Sequence, residues 1–176
     1  MTNPARRLQK KVCLLGDFAV GKTSLVRRFV EGCFDERYLS SIGVKVDRKE
    51  LRLPASNGEV MLTLMLWDLA GGPDVGPVAP SYYRGSSAAV IACDLTRPDT
   101  ISGIGRYAQR FQATNPTAQL IVAANKVDLV EERRPSNEDL DAMAADWAAP
   151  LFYTSAKTGE QVEAMFERLG LLLVVG

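Results

Sequence analysis

The chain of 176 residues contains no histidine. That excludes catalytic triads built on imidazole, His-ligated metal centres and an imidazole general base. Any chemistry must come from backbone amides, lysine, carboxylates, hydroxyls and a bound metal. Cysteine is scarce: Cys13, Cys33 and Cys93. Their number is odd and their spacings match no metal site, so they are expected to be reduced thiols acting as small buried hydrophobes. No apolar run approaches the ~20 residues of a membrane span. The opening Met-Thr-Asn-Pro-Ala-Arg-Arg lacks the pattern of a signal peptide. An excess of charge is missing too, since 21 Lys and Arg balance 21 Asp and Glu. Without a net field, nucleic acid is not an expected partner. These absences predict a cytoplasmic protein. Apolar content of 47% and charged content of 24% fit one globular domain over residues 1–176, with a flexible polar leader at 1–9.

What is present is a phosphate-binding loop. Gly16-Asp17-Phe18-Ala19-Val20-Gly21-Lys22-Thr23 fits G-x-x-x-x-G-K-[ST]. The apolar run Lys11 to Leu15 before it reads as a buried strand. Leu25, Val26 and Phe29 after it recur at helical spacing, from Ser24 to Glu31. Gly16 and Gly21 let the backbone curl so that its N–H groups face anionic oxygens. The helix N-terminus adds a positive dipole end. Lys22 is expected to reach the β- and γ-phosphates, and the Thr23 hydroxyl to bind Mg²⁺. The whole stretch from Gly16 to Ser24 is therefore a candidate cofactor-binding segment. Alone, it specifies a nucleoside triphosphate, but neither the base nor hydrolysis.

Gly32 is placed to cap the first helix. The segment from Cys33 to Gly43 has no period and reads as a long loop, of the kind that is often functional. Val44 to Leu53 alternates as a half-exposed edge strand. Asn57-Gly58 signals a hairpin, and the return strand runs from about Val60 to Trp67. Pro77 and Pro80 make any helix between Asp74 and Arg84 short or irregular. Ala88 to Cys93, Leu120 to Ala124 and Leu151 to Thr154 read as further strands. Helices are predicted over Ile101–Phe111, Asn137–Trp147 and from about Gly159 onward. The expected fold is α/β: a P-loop NTPase with a six-stranded, mostly parallel sheet, one antiparallel edge strand and helices on both faces. In such sheets ligands bind beyond the C-terminal strand ends. The phosphate loop, Asp68 to Gly72, Asn125 to Asp128 and Ser155 to Lys157 all fall there.

Asn125-Lys126-Val127-Asp128 selects the base. A carboxylate at this strand end accepts hydrogen bonds from the N1–H and exocyclic amine of guanine. Adenine offers neither donor, and a carboxylate left unpaired would cost several kcal/mol. Ser155-Ala156-Lys157 complements it: the Ala156 N–H would donate to guanine O6 and Ser155 would brace the loop. Each short match alone reads equally well as a charged surface turn. Their order after successive strands is what gives them weight.

At these residues the chain resembles the small Ras-like GTPases, and the Rab-like members most closely, over nearly its whole length. Trp67-Asp68-Leu69-Ala70-Gly71 is similar to the family's W-D-T-A-G motif, and Ser81-Tyr82-Tyr83-Arg84-Gly85 and Cys93-Asp94-Leu95-Thr96 look Rab-like. The phosphate loop itself is similar to versions found in bacterial relatives. The resemblance implies a switch that binds GTP or GDP with Mg²⁺ and hydrolyses GTP. It implies that Phe34 lies edge-on to the guanine and that Tyr38 closes over the phosphates. Ser41 takes the place of the switch I threonine, contacting Mg²⁺ and the γ-phosphate. Asp68 would hold Mg²⁺ through water, and the Gly71 N–H would sense the γ-phosphate. Residues 34–43 and 71–84 would be switches I and II, ordered by GTP and selecting protein effectors and regulators.

The departures concern catalysis. Gly72 stands where the family has the glutamine that orients the attacking water, so Lys22, Ser41, Gly71 and Gly72 are the catalytic positions with one side chain missing. Phe18 and Ala19 occupy places that are commonly small in relatives, and a ring at Phe18 would obstruct an arginine supplied by a partner. Slow intrinsic hydrolysis is expected. Asp74, Tyr38 and Arg37 are conceivable substitutes that the sequence does not identify. The end, Leu171 to Gly176, has no cysteine to prenylate, so no lipid anchor of its own is expected. Three readings remain: a switch with slow hydrolysis, a GTP-binding interaction module with negligible hydrolysis, and an ATP-dependent kinase or transporter subunit, which Asn125 to Asp128 opposes.

Overall fold

Alternation along Val12-Cys13-Leu14-Leu15 lets one strand feed two cores. In the computed structural model, which describes residues 6–35, 43–56, 58–69, 79–129 and 137–175, this strand is β1 (Arg6–Leu15). Val12 and Leu14 pack into one apolar cluster with Leu25, Phe29, Met165 and Phe166. Cys13 and Leu15 face a second with Ile91, Tyr107, Phe111 and Leu140. A central strand buried on both faces is what a doubly covered parallel sheet requires.

The sheet has six strands in the order β2-β3-β1-β4-β5-β6. The others are β2 (Val44–Ala55), β3 (Gly58–Leu69), β4 (Ala88–Asp94), β5 (Gln119–Asn125) and β6 (Leu151–Thr154). Among the described residues only the β2–β3 pair is antiparallel; the remaining neighbours run parallel. The edge strand predicted from the alternation after Val44 and the early hairpin predicted from Asn57-Gly58 are both present. The hairpin register runs from Val44 opposite Leu69 to Ala55 opposite Gly58; Asn57 lies outside the described residues.

The helices are α1 (Lys22–Glu31), α2 (Ala79–Tyr83), α3 (Pro98–Ser102), α4 (Ile104–Thr114), α5 (Asn137–Asp146) and α6 (Val162–Val175). The α1 and α6 helices meet through Phe29 and Phe166, whose rings stack with centroids 4.1 Å apart. Gly32 caps α1 as predicted, with φ of 71° and its N–H on the Arg28 carbonyl at 3.0 Å.

The structure corrects several boundaries. Arg6 to Gln9, expected in the leader, are in β1, where they pair with Val60 to Thr63 of β3. Their side chains are polar, but the β3 ladder offers their backbone partners. The single helix predicted over Ile101–Phe111 is two helices meeting at Gly103. The first begins at Pro98, whose missing N–H is tolerated in a first turn. The last helix starts at Val162 rather than Gly159, because Gln161 has φ of 54°, outside the helical region. Cys13 and Cys93 are buried as expected, but Cys33 is exposed. It follows the glycine cap, where the chain has left the core.

Candidate nucleotide-binding site

The four predicted loops follow β1, β3, β5 and β6 in the sequence, and the strand register sets their described beginnings along one end of the sheet. Leu14 pairs with Asp68, Asp94 with Asn125, and Asn125 with Thr154. Gly16 has φ of 139° and Gly21 φ of 102°, and a Cβ at either would sit 2.3 Å from another group: the Ala92 carbonyl oxygen and Asn125 Nδ2. Glycine is thus demanded at both, by backbone conformation and by space. Ala19 holds φ of 63° without that freedom. Such strain is characteristic of loops shaped for a ligand.

Lys22 opens α1, and its Nζ donates to the carbonyls of Gly16 and Asp17, both at 2.9 Å. The ammonium therefore arches back over the loop. Burial lowers its pKa to about 8, while the Asp68 and Asp17 carboxylates pull it upward. An anionic ligand would supply the opposing charge that burial takes away. One residue on, the Thr23 hydroxyl donates to Asp68 Oδ2 at 2.5 Å. Asp68 is 1% exposed. A hydroxyl and a buried carboxylate in contact are hard oxygen donors, and so suit magnesium rather than a soft metal. Ser24 follows, half-buried in α1.

The base side is held by Asn125. Its Nδ2 donates to the Val20 carbonyl at 2.9 Å, and its Oδ1 accepts from Thr154 Oγ1 at 3.2 Å and from the Ala156 N–H at 3.3 Å. One buried amide therefore joins the phosphate loop, β6 and the last loop. Among the described residues the Ala156 N–H, assigned to guanine O6 from the sequence, makes this one long bond. Ser155 donates to Asp128 Oδ1 at 2.6 Å and accepts from the Thr158 N–H at 3.0 Å. It thereby ties the loop after β6 to the loop after β5. Lys126 has φ of 69°, and its Nζ lies 2.6 Å from Asp94 Oδ2. The other Asp94 oxygen accepts from the Thr96 N–H and hydroxyl. Phe34 is partly buried and packs on the α1–α6 core. Phe18 is 55% exposed, and its carbonyl accepts from Arg97 Nη1 at 2.8 Å. Tyr38, Ser41, Gly71 and Gly72 lie outside the described residues, as does most of both switches.

The sequence did not reveal Arg28. From α1 its Nε donates to the Ala156 carbonyl at 2.8 Å and its Nη2 to the Lys157 carbonyl at 2.5 Å, while Nη1 reaches Gly32. This guanidinium fork locks the base loop to the helix that follows the phosphate loop. No local pattern marks it, since its partners lie far along the chain.

The model of the Ras family matches residues 11–173, which takes in every loop of the site. The chain belongs to the Ras family. Rab5A of Oryza sativa subsp. japonica, a Ras-related protein, is 35% identical over 99% of this chain and 85% of its own length. The GTP-binding protein ypt5 of Schizosaccharomyces pombe is 36% identical, covering 90% and 75%. Human Rab-31 is 35% identical, covering 89% and 79%. Within the Ras family the chain is a Rab-like small GTPase: a guanine-nucleotide-dependent molecular switch that hydrolyses GTP and works with effector and regulator proteins. An interaction module without hydrolysis is not favoured, and the ATP-dependent reading falls with the family assignment. Among the described residues no helix is long and apolar enough to cross a membrane.

Proposed function

We propose that the site reads guanine through Asp128 and Ala156, grips the phosphates through Lys22 and the amides of Gly16 to Thr23, and holds Mg²⁺ through Thr23, Asp68 and Ser41. The observation that carries this reading is the Asn125 side chain, which ties Val20 to Thr154 and Ala156. It makes the base pocket and the phosphate loop one unit. Bound Mg²⁺ would supply positive charge to the β- and γ-phosphate oxygens. Lys22, held by its two carbonyl partners, keeps a third N–H free to donate to those oxygens. The Ala156 N–H is poised to leave its long bond for the base.

Hydrolysis is slow in this reading, because Gly72 brings no side chain to orient the water. Gly71 would sense the γ-phosphate, and Phe34 and Tyr38 would flank the nucleotide. Residues 34–43 and 71–84 would select partners according to the nucleotide bound, in the cytoplasm, without nucleic acid.

Replacement of Asp128 tests the base assignment. Asp128→Asn should weaken GTP binding much more than xanthosine triphosphate binding, because an amide donates to the 2-oxo group that replaces the amine. Equal losses for the two nucleotides would remove Asp128 from the base site.

A further inference from the structure

The second residue of the phosphate loop is anchored from outside the site. Asp17 contributes its carbonyl to Lys22 Nζ at 2.9 Å. Its carboxylate Oδ1 accepts from the Tyr107 hydroxyl at 2.7 Å and lies 3.4 Å from Arg106 Nη2. Tyr107 is 4% exposed and sits on α4 among Ile101, Ile104 and Phe111. Arg106 lies over the Tyr107 ring, 5.4 Å from its centroid. Burial and the Asp17 carboxylate both push the phenol pKa up, so the oxygen stays a donor. Next door, Arg97 holds the Phe18 carbonyl.

The orientation of the Asp17 peptide thus depends on a hydroxyl borne by α4. That peptide is one of two carbonyls that position the Lys22 ammonium. In the same loop Gly16 and Ala19 both have positive φ, a conformation that groups around the loop must hold in place.

We propose that Tyr107, assisted by Arg106, is a positioning residue for Lys22 and acts through Asp17. The proposal rests on the nucleotide-binding reading above. The carboxylate takes a donor from a rigid helix, the peptide behind it is set, and the ammonium points toward the phosphates. The α4 helix then controls how fast nucleotide leaves, although none of its residues need touch the ligand.

The test is GDP release, followed with a fluorescent analogue in excess Mg²⁺. Tyr107→Phe removes one oxygen and keeps the ring. It should speed release roughly ten-fold, the scale of a lost hydrogen bond to a charged group. Asp17→Ala should do the same, and the double variant should be no faster than Asp17→Ala alone. Phe111→Leu lowers stability in the same core without touching the loop, and should leave release within about two-fold of the parent. Release unchanged in Tyr107→Phe would overturn the proposal. So would multiplicative effects of Tyr107→Phe and Asp17→Ala, or acceleration by Phe111→Leu equal to that by Tyr107→Phe. Failure of the parent protein to retain GDP would overturn the nucleotide reading itself, and the parent arm alone shows it.

Discussion

Gly21→Ala should be far more damaging than a methyl group suggests, and its damage should depend on a residue more than a hundred positions away. The new Cβ would lie 2.3 Å from Asn125 Nδ2, well inside contact distance. The backbone holds φ of 102°, where an alanine is strained by about 1–2 kcal/mol. Asn125 must then move, and its bonds to Val20, Thr154 and Ala156 go with it. At about 1 kcal/mol each these add about 3 kcal/mol, for a total near 4–5 kcal/mol. In an Asn125→Ala background those bonds are already absent and the clash has no partner. There, Gly21→Ala should cost only the strain, about 1–2 kcal/mol. Urea denaturation at fixed saturating GDP and Mg²⁺ measures all four proteins. A coupling near 3 kcal/mol is expected, and additivity within about 0.5 kcal/mol would refute the reasoning.

Arg28→Met keeps the aliphatic stem and removes the fork that holds the Ala156 and Lys157 carbonyls. GDP release should accelerate roughly ten-fold, and an unchanged rate would mean that the base loop needs no clamp. Gly72→Gln should raise the intrinsic single-turnover hydrolysis rate several-fold; no change would mean that another group already positions the water. Alkylation at pH 8 should label Cys33 alone in the native protein and all three cysteines after unfolding, read by mass spectrometry. Burial raises the Cys13 pKa and pushes that of Cys93 up to about 12, so a native adduct at Cys93 would contradict the packing.

The parts of this protein that were legible in sequence are those encoded in short windows. The phosphate loop declares itself because its glycines, lysine and threonine are adjacent, and Asn125 to Asp128 and Ser155 to Lys157 for the same reason. Strands buried on both faces announce themselves as apolar runs. What stayed hidden depends on distant partners. Gly21 was legible as a turn residue, but its crowding by Asn125 is a tertiary fact. Arg28, Arg97, Arg106 and Tyr107 read as ordinary helix and loop residues, because the carbonyls and carboxylate they serve lie elsewhere in the chain. The same holds for Arg6 to Gln9: polar residues look like a tail until a neighbouring strand gives their backbone a ladder.

The β2–β3 ribbon has a mechanical consequence. In the sequence, the segment proposed as switch I ends at Gly43, and the one proposed as switch II begins two residues after Leu69. Val44 and Leu69 are cross-strand partners, the first rung of a ladder that continues to the hairpin turn. On the proposed assignment, the inner ends of both switches would lead into one stiff splint. A partner that grips the exposed edge of β2 bears on both anchors together, and sliding one strand would break every rung in step. On that assignment the nucleotide state would be reported as a single signal on that edge, whichever switch first met the γ-phosphate.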